Sequence, residues 1–114
     1  MRDPKERLRD VLDAMDAIAR HADGDRAGFA GNELLQVWFL RNLQIIGEAC
    51  RALPVEVRAL APDVPWSRIV GMRNVLVHGY FDIDVDIVWE AATRDVPALR
   101  PALQRLLARL EMDG

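Results

Sequence analysis

The sequence predicts an all-α domain, an up-and-down bundle of four or five helices. Three observations carry that reading. Apolar residues recur at intervals of three and four in the first and last helical segments, the segment between them is apolar nearly all round, and no stretch alternates apolar and polar residues as a half-buried strand would. With 114 residues, 51% of them hydrophobic, the chain is one domain over 1–114 with enough apolar material for a core without staples. So high an apolar share in so short a chain means either a very apolar core or extra apolar surface reserved for a partner.

Asp3-Pro4-Lys5-Glu6 reads as a helix start. An N-cap aspartate precedes a proline at the first helical position, where its missing N–H is not needed, and a glutamate is placed to reach back to the cap. Leu8, Val11, Leu12, Met15, Ile18 and Ala19 then form one buried stripe, with polar residues on the other face. His21, at the end of this helix, reads as a cap and not as a second catalytic group. Gly24 through Gly31 is a glycine-containing loop, and Asn32 is a natural cap for a second helix.

That second helix, roughly Glu33 to Leu53, carries Leu34, Leu35, Val37, Trp38, Phe39, Leu40, Leu43, Ile45, Ile46 and Ala49 around most of its circumference. Such a helix must be buried on more than one side, either by its own neighbours or by another subunit. Pro54 ends it, and Val55 to Leu60 forms a short helical turn set. Pro62, Asp63 and Pro65 make a rigid connector into a third helix, about Trp66 to His78, with Gly79 as its stop. Asp84 caps a fourth helix through Ile87, Val88, Trp89, Ala91 and Ala92. A last amphipathic helix carries Leu103, Leu106, Leu107 and Leu110; Pro97 near its start either kinks a continuous helix or opens a new one. Trp38, Trp66 and Trp89 are expected in the core.

Composition excludes several function classes. No window approaches the apolar run that a membrane span needs, and the polar start is unlike a signal peptide, so a cytoplasmic protein is expected. Cys50 is the only cysteine and lies among apolar neighbours; it reads as a packing residue, and no disulfide or structural zinc site is expected. No cofactor is expected either, since Gly28 and Gly31 lack the strand–glycine–helix context of a phosphate loop. A net charge of −3 is not the footprint of a protein that holds nucleic acid by charge alone. Charge is uneven, however. Between Glu33 and Tyr80, Arg41, Arg51, Arg58, Arg68 and Arg73 face Glu33, Glu48, Glu56 and Asp63, whereas acids dominate from Phe81 onward. Any RNA is therefore handled by the middle of the chain. Almost all the basic charge is arginine, as phosphate recognition favours and as a GC-rich genome would also produce.

The chemistry-bearing residues cluster in Arg73-Asn74-Val75-Leu76-Val77-His78-Gly79-Tyr80. At about 100° per residue, Asn74 and His78 share a face and Arg73 lies one step round, so the set flanks a common groove. A histidine in the last turn of a helix meets unpaired carbonyls that favour imidazolium, in the titration range general acid–base work at neutral pH uses. Arg73 offers a planar fork of donors to a phosphate gaining charge. Asn74 can orient the substrate or the imidazole, and Tyr80 follows just past the helix. By spacing alone these residues are equally those of a stabilising cap and a solvated face.

The same segment resembles the ribonuclease motif of HEPN domains: arginine, four residues, then histidine, with a polar residue after the arginine. With tyrosine two places after the histidine it is similar to HepT, the toxin of the MNT/HepT type VII toxin–antitoxin modules. Further matches in order are Ile45-Ile46-Gly47-Glu48-Ala49, Pro65-Trp66, Gly71-Met72 and Asp84-Val85-Asp86-Ile87-Val88-Trp89, so the similarity covers nearly the whole chain. The resemblance implies a HEPN-like helical homodimer that brings two motif copies into one cleft. It implies metal-independent RNA cleavage, with the 2′-hydroxyl attacking the adjacent phosphorus, His78 moving a proton and Arg73 stabilising charge. It implies as partner a nucleotidyltransferase antitoxin that transfers AMP to Tyr80, and it leaves open a larger hetero-oligomer with that antitoxin. Glu48 either faces the cleft and holds Arg73 or faces solvent. The alternative function is a catalytically silent HEPN dimer that binds a nucleotide or tethers a nucleotidyltransferase.

Overall fold

The computed structural model describes residues 2–76 and 83–113, and the side chains of 2–71 and 83–113. Among the described residues the chain is helical with no strand. The helices are α1 (Pro4–Ala19), α2 (Arg26–Ala30), α3 (Glu33–Arg51), α4 (Val55–Arg58), α5 (Trp66–Leu76), α6 (Val85–Glu90) and α7 (Val96–Asp113), with a π-helical segment, Ala91–Asp95, joining the last two. Four long units therefore carry the described fold, α1, α3, α5 and the continuous run α6–π–α7, and α2 and α4 are short turns. No described helix is long and apolar enough to cross a membrane.

Local chemistry accounts for where the helices begin. The Asp3 carboxylate accepts from Lys5 N at 2.9 Å and Pro4 opens α1. Glu6 does not complete a reciprocal box in the described contacts; its carboxylate pairs with Arg2 at 3.5 Å. Asn32 Oδ1 accepts from Leu35 N at 3.0 Å and starts α3, and Asp84 Oδ1 accepts from Ile87 N at 3.1 Å and starts α6. The expected Gly24–Gly31 loop is corrected in part. Asp25 Oδ1 accepts from Gly28 N at 2.7 Å and caps the single turn α2, which drives Phe29 into the core.

α3 is the central helix, packed most extensively by α1 and α5 and also by α2 and α6. Phe39, Leu43, Ile46 and Cys50 on α3 meet Leu8, Val11, Met15 and Ile18 of α1, with Leu103 and Leu106 of α7, in one core. An aromatic cluster closes one end: the Phe29 and Phe39 rings stack 5.1 Å apart, and Trp89 lies 5.1 Å from Phe29. Cys50 is fully buried, and burial pushes its thiol up to about 12 against the lowering influence of Arg58. It is the packing residue the sequence suggested. Asn42, the buried polar side chain on α3, donates Nδ2 to Trp38 O at 2.9 Å.

Two features bear on the sequence reading. Trp38 is not a core residue: 41% of it is exposed, its indole N–H donates to Ala17 O at 2.9 Å, and His21 meets its ring edge-on. α1 ends at Ala19, and the indole meets it near that end through the Ala17 carbonyl. Pro97, expected either to kink a continuous helix or to open a new one, stands second in α7, which follows α6 directly through the π-helical segment. Proline has no N–H to give the carbonyl four residues back, and its ring would collide with it. The preceding turn widens instead, and Val96 N–H donates to Ala91 O, five residues back.

Candidate functional site

The start of α5 is anchored firmly. Trp66 N donates to Val64 O at 2.8 Å, and its indole Nε1 donates to the carbonyls of Arg58 and Ala61, both at 3.0 Å. Half-buried Trp66 thus ties α5 to the turn after α4. Three residues on, Ile69 is 3% exposed and enters the core that holds Ile46 of α3. These two contacts set the rotation and height of the helix that carries the first half of the candidate motif.

From that anchor the backbone places Arg73 and Asn74 in the last turns of α5, which runs to Leu76. Position 73 is four past Ile69 and therefore on the flank of α5 that meets the core. Position 74 is three past Gly71, on the flank that borders a groove towards α6. The side chains of Arg73 and Asn74 lie outside the described residues, and so do His78, the expected stop Gly79 and Tyr80. Glu48 is exposed on α3 and takes part in a polar interaction of its own.

The groove beside α5 has no counterpart in the sequence reading. A pocket of about 190 Å³ opens between α3, α5 and α7, walled by Ile46, Ile69, Val96 and Leu99. A wider groove of about 610 Å³ continues it along Gly71, Ile87 and Ala91. Arg68 and Asp95 line both, one from each side. Two carboxylates at the outer rim are already engaged: Asp86 with Arg26, which ties α6 to α2, and Glu90 with Arg94 at 2.6 Å. Arg68 and Asp95 are in no ion pair among the described residues. Sequence reasoning passes over Asp95 because its position depends on the π-helical segment, and sees in Arg68 only a basic neighbour of Trp66.

A second surface lies on α3, where Leu34, Val37 and Trp38 are 85%, 51% and 41% exposed. The apolar excess predicted for this helix is thus divided. Its core-facing side is covered by the chain's own helices, and the N-terminal part of its outer side is not.

The family model for HepT-like ribonucleases, "Ribonuclease HepT-like", matches residues 11–106. The chain belongs to the HepT-like ribonuclease family. The match takes in α1 from its middle through most of α7, the α5 segment included. A Methanocaldococcus jannaschii protein named "Putative RNase" is 38% identical over 104 residues, covering 90% of this chain and 95% of that one. A Caldanaerobacter subterraneus protein of the same name is 33% identical over 110 residues, covering 96% and 98%. A Thermococcus cleftensis protein named "Probable ribonuclease HepT" is 31% identical over 106 residues, covering 92% and 96%. No solved structure matches the chain significantly. Membership of this HepT-like family supports ribonuclease activity at the level of the family.

Proposed function

We propose that this HepT-like protein is the toxin of a toxin–antitoxin module, an endoribonuclease that cuts RNA without a metal ion. The observation that carries the reading is the family match over 11–106, which spans the arginine–asparagine–histidine–tyrosine set at 73, 74, 78 and 80. The reaction needs no external nucleophile. The RNA's 2′-oxygen forms a bond to the adjacent phosphorus, the bond to the 5′-oxygen breaks, and the proton lost by one oxygen is balanced by one gained by the other. His78 moves that proton, Arg73 neutralises charge on the phosphate, and Asn74 orients substrate or imidazole.

The net charge of −3 is compatible with RNA handling if two motif copies share one cleft and add their arginines. The exposed apolar part of α3 supports such a homodimer. The partner is a nucleotidyltransferase antitoxin that attaches AMP to Tyr80, placing bulk and negative charge beside Arg73 and His78. Glu48 supports the cleft.

The test is cleavage of total RNA by the purified protein in EDTA, beside Arg73→Ala and His78→Ala. Wild type is expected to cut and both variants to lose activity by a factor of roughly 10² or more. Equal cutting by all three would overturn the assignment.

A further inference from the structure

The pocket and groove beside α5 are built unlike a passive surface crevice. The pocket is lined by the apolar Ile46, Ile69, Val96 and Leu99 and by one guanidinium and one carboxylate, Arg68 from α5 and Asp95 from the π-helical segment. At about 190 Å³ it is smaller than the roughly 300–1,000 Å³ of sites for drug-sized ligands. It suits one planar ring system with apolar faces and polar edges. The adjoining groove shares Arg68 and Asp95 with the pocket and adds Gly71, two residues before Arg73 on α5, so a base seated in the pocket lies beside the helix that carries the motif.

From this we infer that the pocket is a base-recognition subsite for a guanine flanking the scissile phosphate, read by Arg68 and Asp95. The inference rests on the ribonuclease reading proposed for the motif. Guanine suits the pair because it presents acceptors, O6 and N7, on one edge, which an arginine fork reads, and N–H donors on another, which a carboxylate accepts. Adenine pairs a donor with an acceptor on the edge where arginine needs two acceptors, and uracil offers a carboxylate a single N–H. The rim carboxylates do not repel the phosphates strongly, since Asp86 and Glu90 are already neutralised by Arg26 and Arg94.

Two measurements separate this inference from the nuclease assignment. The first is binding of guanosine 3′-monophosphate, and of its adenosine, cytidine and uridine counterparts, followed by NMR or calorimetry and requiring no turnover. Wild type is expected to prefer the guanosine nucleotide about ten-fold or more, and Arg68→Ala, Asp95→Asn and the pocket-filling Ala98→Trp to abolish the preference. Arg105→Ala, exposed on α7, serves as a control expected to keep it. The second is mapping of cut sites on RNA: wild type is expected to cut beside guanine, and Asp95→Asn to cut with the position blurred. Equal binding of the four nucleotides, or a guanine preference untouched by all three variants, overturns the subsite whether or not RNA is cut. The subsite is equally overturned if the variants leave nucleotide binding unchanged and instead break association with a protein partner. Guanosine selectivity with no cleavage by wild type overturns the nuclease assignment and leaves the pocket standing.

Discussion

Replacing Leu34 by aspartate tests whether the outer side of α3 is a dimer surface. Leu34 is 85% exposed in the single chain, so nearly its whole side chain is available for burial by a partner. Fully burying a leucine contributes about 1.5–3 kcal/mol. In a two-fold dimer the same residue is buried twice, so losing it removes about 3–6 kcal/mol from association. That corresponds to a Kd weaker by about a hundredfold to ten-thousandfold, before any penalty for burying the new carboxylate. The isolated fold should scarcely notice. Leu34 is the second residue of α3, where an aspartate is favoured by the helix dipole, and exposed substitutions usually stay within about 0.5 kcal/mol. Sedimentation across a concentration series measures the Kd, and a thermal melt checks the monomer. On the proposed arrangement, in which two motif copies share one cleft, cleavage per chain is expected to fall with the dimer fraction. A variant that still dimerises with the wild-type Kd would refute the reasoning, as would a wild type that sediments as a monomer throughout.

Four further outcomes are expected of the same molecule. Co-expression with a nucleotidyltransferase of the proposed antitoxin type should add AMP-sized increments to the intact mass of the wild type and none to Tyr80→Phe; additions persisting in the variant would place the acceptor elsewhere. Cys50, with its thiol pushed up to about 12 by burial, should resist alkylation at pH 8 while the chain is folded and react once it is unfolded. Its folded-state pKa lies above the unfolded value of 9.0, so its contribution is fully present below pH 9 and is lost as pH rises towards 12; Cys50→Ala should lessen that alkaline decline in stability. Phe39→Ala removes a fully buried ring stacked on Phe29 and should destabilise the fold by about 3–5 kcal/mol, seen as a lower urea midpoint.

Much of the fold was legible because helix starts obey local rules. Asp3, Asn32 and Asp84 each hold a backbone N–H two or three residues on, and a reader needs only those residues to place α1, α3 and α6. What was missed depended on contacts distant in sequence. Gly24, Gly28 and Gly31 argue for a loop, yet burial of Phe29 among Phe39 and Trp89 outweighs their propensity and holds one helical turn in place. Trp38 reads as core by type, but how far α1 extends over it is a matter of packing. The backbone of α5 through Leu76 agrees with the helix expected for Arg73 and Asn74, whereas the chemistry of the motif rests on the family resemblance. The groove opposite Asp95 had no sequence signature, since its walls come from three helices.

The π-helical segment joins these levels. Val88 and Val96 are both buried, and eight residues at about 100° each would leave them about 80° apart on a regular helix. One surplus residue absorbed in the widened turn removes about 100° and brings both onto the core-facing side. The same widening frees the carbonyl that the Pro97 ring would otherwise strike. It also ends at Asp95, which lines the pocket together with Arg68. Pro97 thus stands in the first turn of α7, directly after the widened turn that joins it to α6. The carboxylate of the proposed guanine subsite, Asp95, is the last residue of this π-helical segment, so its bearing relative to α6 is set by the wider turn.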